Sequence, residues 1–511
     1  MDTSKINTII EKYNRNPEYA NEMLLDVQAE FGFLPEDVVR YIGDELLIPQ
    51  GRLYHIATFY PSFKMSKDTE KSEPRFKKFM KDQDLKYLKG SSKAPQVVLR
   101  NMSNVDPESI ESCIKKGGYK ALVKALRKKP DVITRGLRKS GMIGRCGFGT
   151  LTGDKWKKCA EMSKGTGAYV ICNADEGFPR AIAYRTLAES DPHSIIEGMI
   201  IGAFAVGASE GFINFRSCNC CSKAIETMQK AIKDAYDKGF LGDNILDSGF
   251  SFNLKVRRSP GAYMNLDLSA LVESLSGNPA EPSGNYIQLV EKGFRGMPTL
   301  VSCVETWANI PFIVGKGASA FTKIGPNGTK LVTLVGDIVN QGFAEIPIGM
   351  TLREIIDTYG GGIAGNPPLK AIQVGGPSGA FLPADKIDTS YDYQSIENAG
   401  AYIGTGYIRI LNDKSCLFCA MKDSLEFCKG NAFGKSVTDR EGILVIYSIL
   451  EKIANGHGIA DDLDILKSVA QTVEATSLSN LGKKSAKMVL SVIENFKDRL
   501  LKTIDQKKAC I

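Results

Sequence analysis

The stretch "GRCGFGTLTGDKW" (residues 144–156) carries Gly144, Gly147, Gly149 and Gly153 with one lysine, Lys155, at the start of a helical pattern. Glycines let the backbone approach a phosphate closely, and the free amides of a helix N-terminus hold anions. Cys146 and Phe148 stand where such a loop usually stays small. Alone, the stretch reads equally well as a generic glycine-rich turn, so its surroundings carry the decision.

Around it the pattern alternates between strand and helix from about residue 94 to 327. "AYVICNADEG" (168–177), "GASEGFINFR" (207–216) and "FNLKVRRSPGAY" (252–263) read as strands running into loops, and "HSIIEGMIIGAFAVGA" (193–208) as an apolar helix. Alternation of this kind predicts an α/β unit with a largely buried sheet. Residues 328–400 open with two strands, a turn and a helix from Thr351, a small α+β unit; residues 401–511 are mainly helical. Residues 1–65 read as short helices and 66–93 as a charged linker.

The bulk properties exclude some classes. The chain has 511 residues, 43% hydrophobic and 24% charged, so several domains are expected. The net charge of +7 is spread out, and lysine clusters such as "KALRKKP" (124–130) read as solvated helix faces, so no nucleic-acid partner is expected. No apolar run reaches the ~18 to 20 residues of a membrane span, and the N-terminus lacks the pattern of a signal peptide. A cytoplasmic location follows as the expectation, with the twelve cysteines as thiols or metal ligands rather than disulfides. With only His55, His193 and His457, no Cys–His or Ser–His nucleophile is assigned; His193 reads as a loop residue and His457 as a turn residue.

Five segments then occur in one fixed order: "VICNADEGFPR" (170–180), "ESDPH" (189–193), "SPGAY" (259–263), "VSCVETWANIP" (301–311) and "GDIVNQGFAEIPIGMTLREII" (336–356). In that order they resemble the NADH-oxidising 51 kDa flavoprotein subunit of respiratory complex I and the matching subunit of soluble hydrogenases and formate dehydrogenases. Residues 17–64, ending "GRLYHIATFYPSFK", resemble the helical N-terminal part of the 24 kDa partner subunit, here fused in front. No cysteine precedes Cys113, so the cysteines of that partner's [2Fe–2S] cluster are missing from this segment.

The resemblance implies an α/β fold class. An FMN-binding α/β domain (94–327) and a ubiquitin-like β-grasp domain (328–400) would lie between helical N- and C-terminal bundles (1–65 and 401–511). It implies FMN contacts at Gly144, Arg145, Gly147, Lys155, Asn173, Asp175, Glu176, Tyr263 and Thr306, with Ser302 and Cys303 where the family has two asparagines. It implies iron–sulfur and catalytic subunits of an oxidoreductase complex as partners, with no direct membrane span.

The chain also departs from the pattern. The family's cluster motif S-C-G-x-C-x-P-C-R-E-G aligns with "AFGKSVTDREG" (432–442), placing Phe433, Ser436 and Asp439 at its cysteines; Ser479 falls at the fourth. No [4Fe–4S] cluster is therefore expected at those positions. Cys416, Cys419 and Cys428, and the crowded Cys218, Cys220 and Cys221, read either as small structural residues or as metal or redox groups. In the nicotinamide pocket, family aromatics become Thr150 and Lys158, a glutamate becomes Phe178, and an acidic pair becomes Asp267 and Leu268. NAD(H) use is therefore expected to be impaired. Lys157 and Lys158 read either as a solvated face or as partners for a more anionic nucleotide. The expected function is a flavoprotein-like electron-transfer subunit; the rival is a cofactor-free scaffold that holds partner subunits together.

Overall fold

Runs such as "YVIC" and "FINF" lack polar alternation, which calls for a sheet covered on both faces. In the computed structural model, residues 3–67, 85–90, 95–145, 149–177, 180–283 and 288–507 are described. The strands are β1 (Lys86–Tyr87), β2 (Ala168–Asn173), β3 (Ala208–Arg216), β4 (Asn253–Ser259), β5 (Thr299–Cys303), β6 (Thr329–Gly336), β7 (Gly342–Pro347), β8 (Leu369–Val374), β9 (Ala380–Pro383) and β10 (Tyr407–Asn412).

Four of them form a parallel sheet in the order β4-β3-β2-β5. One face is covered by the helix Pro192–Val206, buried almost throughout. Gly198 and Gly202 let this helix approach the helix Val304–Lys316: a Cβ at Gly198 would lie 2.1 Å from the Trp307 carbonyl oxygen, and one at Gly202 2.5 Å from the Trp307 ring. Trp307 in turn packs on Trp156 at 5.7 Å between ring centroids, both fully buried. On the opposite face Leu271 and Leu275 of the helix Leu268–Leu275 pack against Ile171, Phe212 and Val301.

The second sheet is mixed, in the order β1-β7-β6-β10-β8-β9. The helix Leu352–Thr358 packs on it, started by a capping box in which Thr351 and Glu354 satisfy each other's amides. β10 lies at its centre although it begins after residue 400, and β1, from within the expected linker, pairs with β7 at the edge. The linker's residues 68–84 and 91–93 lie outside the described residues.

Four short helices, Thr3–Lys12, Ala20–Phe31, Glu36–Leu46 and Gln50–Phe59, bury Ile10, Leu24, Ile42 and Ile56 in a core shared with Met264 and Ala270. At the other end Leu417–Gly430, Ile443–Ala454, Asp461–Thr476 and Asn480–Asp505 form a bundle around Met421, Leu450, Leu466 and Val489.

Two expectations change. His193 is a helical residue: Asp191 caps the helix and Pro192 opens it, the pairing that starts helices. Its ring is buried with Nδ1 2.8 Å from the Tyr119 hydroxyl, and burial lowers its pKa to about 4, so it is a neutral core group. Cysteine pairing was not expected, yet Cys218 and Cys220 are joined as a disulfide, because the tight turn after β3 brings their side chains together.

Candidate functional site

In the parallel sheet the chain runs from β2 to β3 to β4 on one side, and β5 then returns to the other side of β2. Strand order reverses between β2 and β5, and in open α/β sheets the crevice at the carboxyl ends there is where ligands bind. Asn173 and Cys303, the last residues of the two strands, face each other in register.

The helix Val304–Lys316 starts directly after β5, and its N-cap, Cys303, makes no side-chain hydrogen bond to its first amides. Those amides and the helix dipole favour an anion at this end. The glycine loop is fastened to the same place. Its base is closed by the Ile143–Leu151 bridge and by the Gly144 amide donating to the Thr150 carbonyl at 2.9 Å. The Arg145 amide donates to Thr306 Oγ1 at 3.0 Å. Gly147, Cys146 and Phe148 lie outside the described residues, as does Phe178. Lys155 is anchored beside β5, its Nζ donating to the Val301 carbonyl at 2.6 Å.

The N-x-D-E segment after β2 is wired to its neighbours. The Asp175 amide donates to Asn173 Oδ1 at 3.1 Å, and Asn173 Nδ2 donates to the Asn265 carbonyl at 2.8 Å. The buried Asp175 carboxylate accepts from Arg216 Nε at 3.1 Å and Asn265 Nδ2 at 2.7 Å. Asn214, in register with Asn173 on β3, is only 1% exposed, and neither its Oδ1 nor its Nδ2 has a protein partner among the described residues. A buried amide left this way costs about 1–3 kcal/mol unless a ligand or water satisfies it. Sequence reading took up Asn173 and missed Asn214 and Asn265; the polar Asn214 inside the apolar run "GFINF" was the available signal.

Glu176 accepts from the Tyr184 amide at 2.7 Å and the Arg185 amide at 3.0 Å, serving the start of the helix Ala183–Ser190. Burial raises its pKa to about 7, against the pull of those two amides. Its carboxyl is protonated in both folded and unfolded chains at low pH. Between about 4.5 and 7 the folded chain keeps a proton that the unfolded chain releases, so stability falls as pH rises through that window. Glu176→Gln is expected to have a lower thermal midpoint at acid pH, from a lost acceptor, but a shallower decline between about pH 5 and 8. An unchanged slope in thermal melts across that range would refute the assignment.

Other residues tie the site to its surroundings. The fully buried Arg145 guanidinium donates to the Ile143 carbonyl at 2.8 Å, the Asn327 carbonyl and the Tyr393 hydroxyl at 3.4 Å. It is spent on protein carbonyls of the loop and of the neighbouring sheet unit. Its Nε lies 3.9 Å from Glu305, which pairs with the buried Lys330 and accepts from the Leu331 amide at 2.7 Å. Glu305 stands next to Thr306, and sequence reading passed over it. Cys303 Sγ lies 3.3 Å from Thr306 Oγ1, and Ser302 is buried on β5 opposite Cys172. Tyr263 stands farther along, its hydroxyl 3.4 Å from Ser378 and its ring edge-on to Phe427 at 4.9 Å. Of the pocket substitutions, Thr150 is exposed, Lys158 pairs with Glu291 at 2.6 Å, Lys157 faces Glu161 at 3.6 Å, and Asp267 caps the helix that Leu268 opens.

Residues 137–312 match the family described as the Nuo51 FMN-binding domain. The chain is 37% identical to NADP-reducing hydrogenase subunit HndC of Solidesulfovibrio fructosivorans, over 81% of this chain and 84% of that one. The chain belongs to the 51 kDa flavoprotein-subunit family. It is also 35% identical to an NADH-quinone oxidoreductase subunit of Aquifex aeolicus, over 83% of this chain and 96% of the relative. A crystal structure of NAD+-reducing [NiFe]-hydrogenase in the H2-reduced state shares the fold of this 51 kDa-type subunit. Its TM-score is 0.76 at 20% identity, covering 96% and 94% of the two chains.

The expectation that no [4Fe–4S] cluster belongs to this chain is corrected by two further matches. Residues 409–503 match the NADH-ubiquinone oxidoreductase-F iron-sulfur binding region, and residues 6–72 the thioredoxin-like [2Fe-2S] ferredoxin. Both iron–sulfur regions of the 51 kDa-type assembly are thus represented, and iron–sulfur clusters are expected; the cofactor-free scaffold gains no support. Which side chains would ligate them is a separate matter. Cys416 caps the helix Leu417–Gly430 with its Sγ 3.4 Å from the Cys419 amide, whereas Cys428 lies buried near the other end. At the aligned motif positions the buried Asp439 carboxylate accepts from the Ser479 amide at 3.3 Å, and the Asp439 amide lies 3.5 Å from Ser436 Oγ. Those groups are oxygen donors rather than the thiolates such clusters take, so no step is derived through a cluster. No helix among the described residues is long and apolar enough to cross a membrane.

Proposed function

We propose that this chain is the flavin-carrying electron-transfer subunit of a multi-subunit oxidoreductase complex, holding FMN in the crevice between β2 and β5 and exchanging electrons with iron–sulfur partner chains. The observation that carries the proposal is the buried Asn214 amide beside Asn173, without a protein partner among the described residues, at the same strand ends where the helix Val304–Lys316 begins. The first group asks for a polar ring edge or sugar hydroxyls, the second for a phosphate. FMN offers both.

In this reading Gly144, Gly147, Lys155 and the first amides of Val304–Lys316 receive the phosphate, and Asn173, Asp175 and Asn214 address the polar part of the flavin. Glu176, Tyr263, Ser302, Cys303 and Thr306 line or brace the crevice, and Arg145 positions the glycine loop through its carbonyl contacts. FMN, when bound, supplies the exchange between two-electron and one-electron transfer. The substitutions at Thr150, Lys158, Asp267 and Leu268 remove stacking and anchoring groups, which slows hydride transfer by loosening nucleotide orientation.

Purified protein is expected to show flavin absorbance that bleaches slowly under anaerobic NADH or NADPH. Asn214→Leu supplies the sharper test. It removes no protein hydrogen bond, so the thermal midpoint of the flavin-free chain should hold or rise, while flavin affinity falls by about tenfold to a hundredfold. Lys155→Ala with Asn173→Ala should abolish flavin retention. A featureless spectrum in protein isolated with its partners, or unaltered flavin affinity in Asn214→Leu, would overturn the reading.

A further inference from the structure

The carboxyl end of β3 leads into "SCNCC" (217–221), which neither the flavin crevice nor the bundle uses. A tight turn, closed by the Cys221 amide on the Cys218 carbonyl at 2.9 Å, folds three cysteines onto one another. The sulfur atoms of Cys218, Cys220 and Cys221 lie within 4.8 Å of one another, the one such group of three metal-binding side chains among the described residues. We infer that, once the Cys218–Cys220 pair is reduced, these three thiolates form a site for a thiophilic d10 cation such as Zn2+, with a fourth position open to solvent.

The geometry favours a shared metal over an exchange relay. Cys221 Sγ lies 3.0 Å from Cys218 Sγ and 3.8 Å from Cys220 Sγ. For thiol–disulfide exchange the attacking sulfur should lie in line with the bond, which from Cys218 would put it about 5 Å from Cys220. Instead it sits beside the pair, and the three sulfurs form a triangle.

Burial, with the Asp175 carboxylate behind it, pushes the Cys221 thiol up to about 11, so the bound ion has to displace that proton, and two features of the surroundings assist it. Cys221 is the N-cap of the 16-residue helix Ser222–Asp237 and makes no side-chain cap hydrogen bond, so the positive end of that helix faces the sulfurs. Arg185 donates to the Cys220 carbonyl at 3.1 Å and adds positive charge against the net negative charge of three thiolates and one divalent ion. Access is provided for: Cys220 is exposed, and Cys218 lines a cavity of about 460 Å³ bounded also by Asn219, Glu226 and Arg258. Three protein ligands and one open position is the arrangement of a reactive rather than a closed structural zinc. Loading balances in two steps: an external dithiol gives two electrons and two protons to the disulfide and is itself oxidised; binding Zn2+ then releases the thiol protons to buffer.

The test uses the full chain, reduced with dithiothreitol and desalted without oxygen. Zn2+ is titrated against a chromophoric chelator, and Co2+ is used as a spectroscopic probe. Wild type is expected to take up about one Zn2+ more per chain than Cys218→Ser/Cys220→Ser, and to show thiolate-to-cobalt charge-transfer absorption that the variant lacks. The single Cys220→Ser, at an exposed position, guards against misfolding and should weaken the same site while leaving far-ultraviolet dichroism unchanged. Equal zinc uptake and equal cobalt spectra in wild type and variants would overturn the inference. So would a Cys218–Cys220 bond that survives reduction, or iron and sulfide in place of zinc as the species lost with the cysteines.

Discussion

Lys330→Ala is expected to destabilise the flavin-site unit by about 3–5 kcal/mol, the usual effect of stranding one partner of a buried ion pair. Lys330 and Glu305 are 0% and 1% exposed. The ammonium also donates to the Leu331 and Thr405 carbonyls at 2.9 and 3.1 Å, so one side chain joins the helix after β5, the start of β6 and the approach to β10. Removing it leaves the Glu305 carboxylate with the Leu331 amide and with Arg145 at 3.9 Å. Intrinsic fluorescence is a suitable readout, since the chain's two tryptophans, Trp156 and Trp307, are both buried in this unit. Lys330→Met with Glu305→Gln should recover only part of the loss, because it removes the stranded carboxylate but also takes the neighbouring negative charge away from the buried Arg145 guanidinium. A single variant that melts with the wild type would show that the pair contributes nothing.

Glu22→Ala should release the N-terminal helices from the sheet at a comparable expense, about 3–5 kcal/mol. Arg257 on β4 is 2% exposed and reaches across to this helical segment. Its guanidinium pairs with both Glu22 oxygens, donates to the Glu18 carbonyl at 2.9 Å and the Leu275 carbonyl at 3.1 Å, and stacks on Tyr19 at 3.9 Å. Alanine at 22 leaves the buried cation with carbonyls and a ring, and with only the more distant Glu18 carboxylate, itself paired with Arg295, as a negative charge. Faster amide exchange over Ala20–Phe31, with the sheet's own exchange unchanged, is the expected signature. Lys5→Ala, which breaks the exposed Lys5–Glu30 pair, is the control and should alter little. Equal protection in Glu22→Ala and wild type would mean that apolar packing alone holds the segment.

The sequence by itself determined the local elements and the family. Apolar periodicity marked the strands and the buried helix around the glycine loop, a helix start was read at Thr351, and five ordered segments carried the resemblance. These are short-range properties, legible because capping, turn chemistry and burial period act within a few residues. Only the tertiary structure decided what each polar side chain meets. Strand register brings Asn214 beside Asn173, 41 residues earlier in the chain. The fold aims the Arg145 guanidinium at Asn327 and Tyr393, joins Glu305 to Lys330, and lays β10 between β6 and β8. It also turns "DPH" into a helix start with a neutral, buried His193. A buried charge or amide is satisfied by whatever the packing of distant elements brings within hydrogen-bond reach, and no local pattern in the chain records that distance.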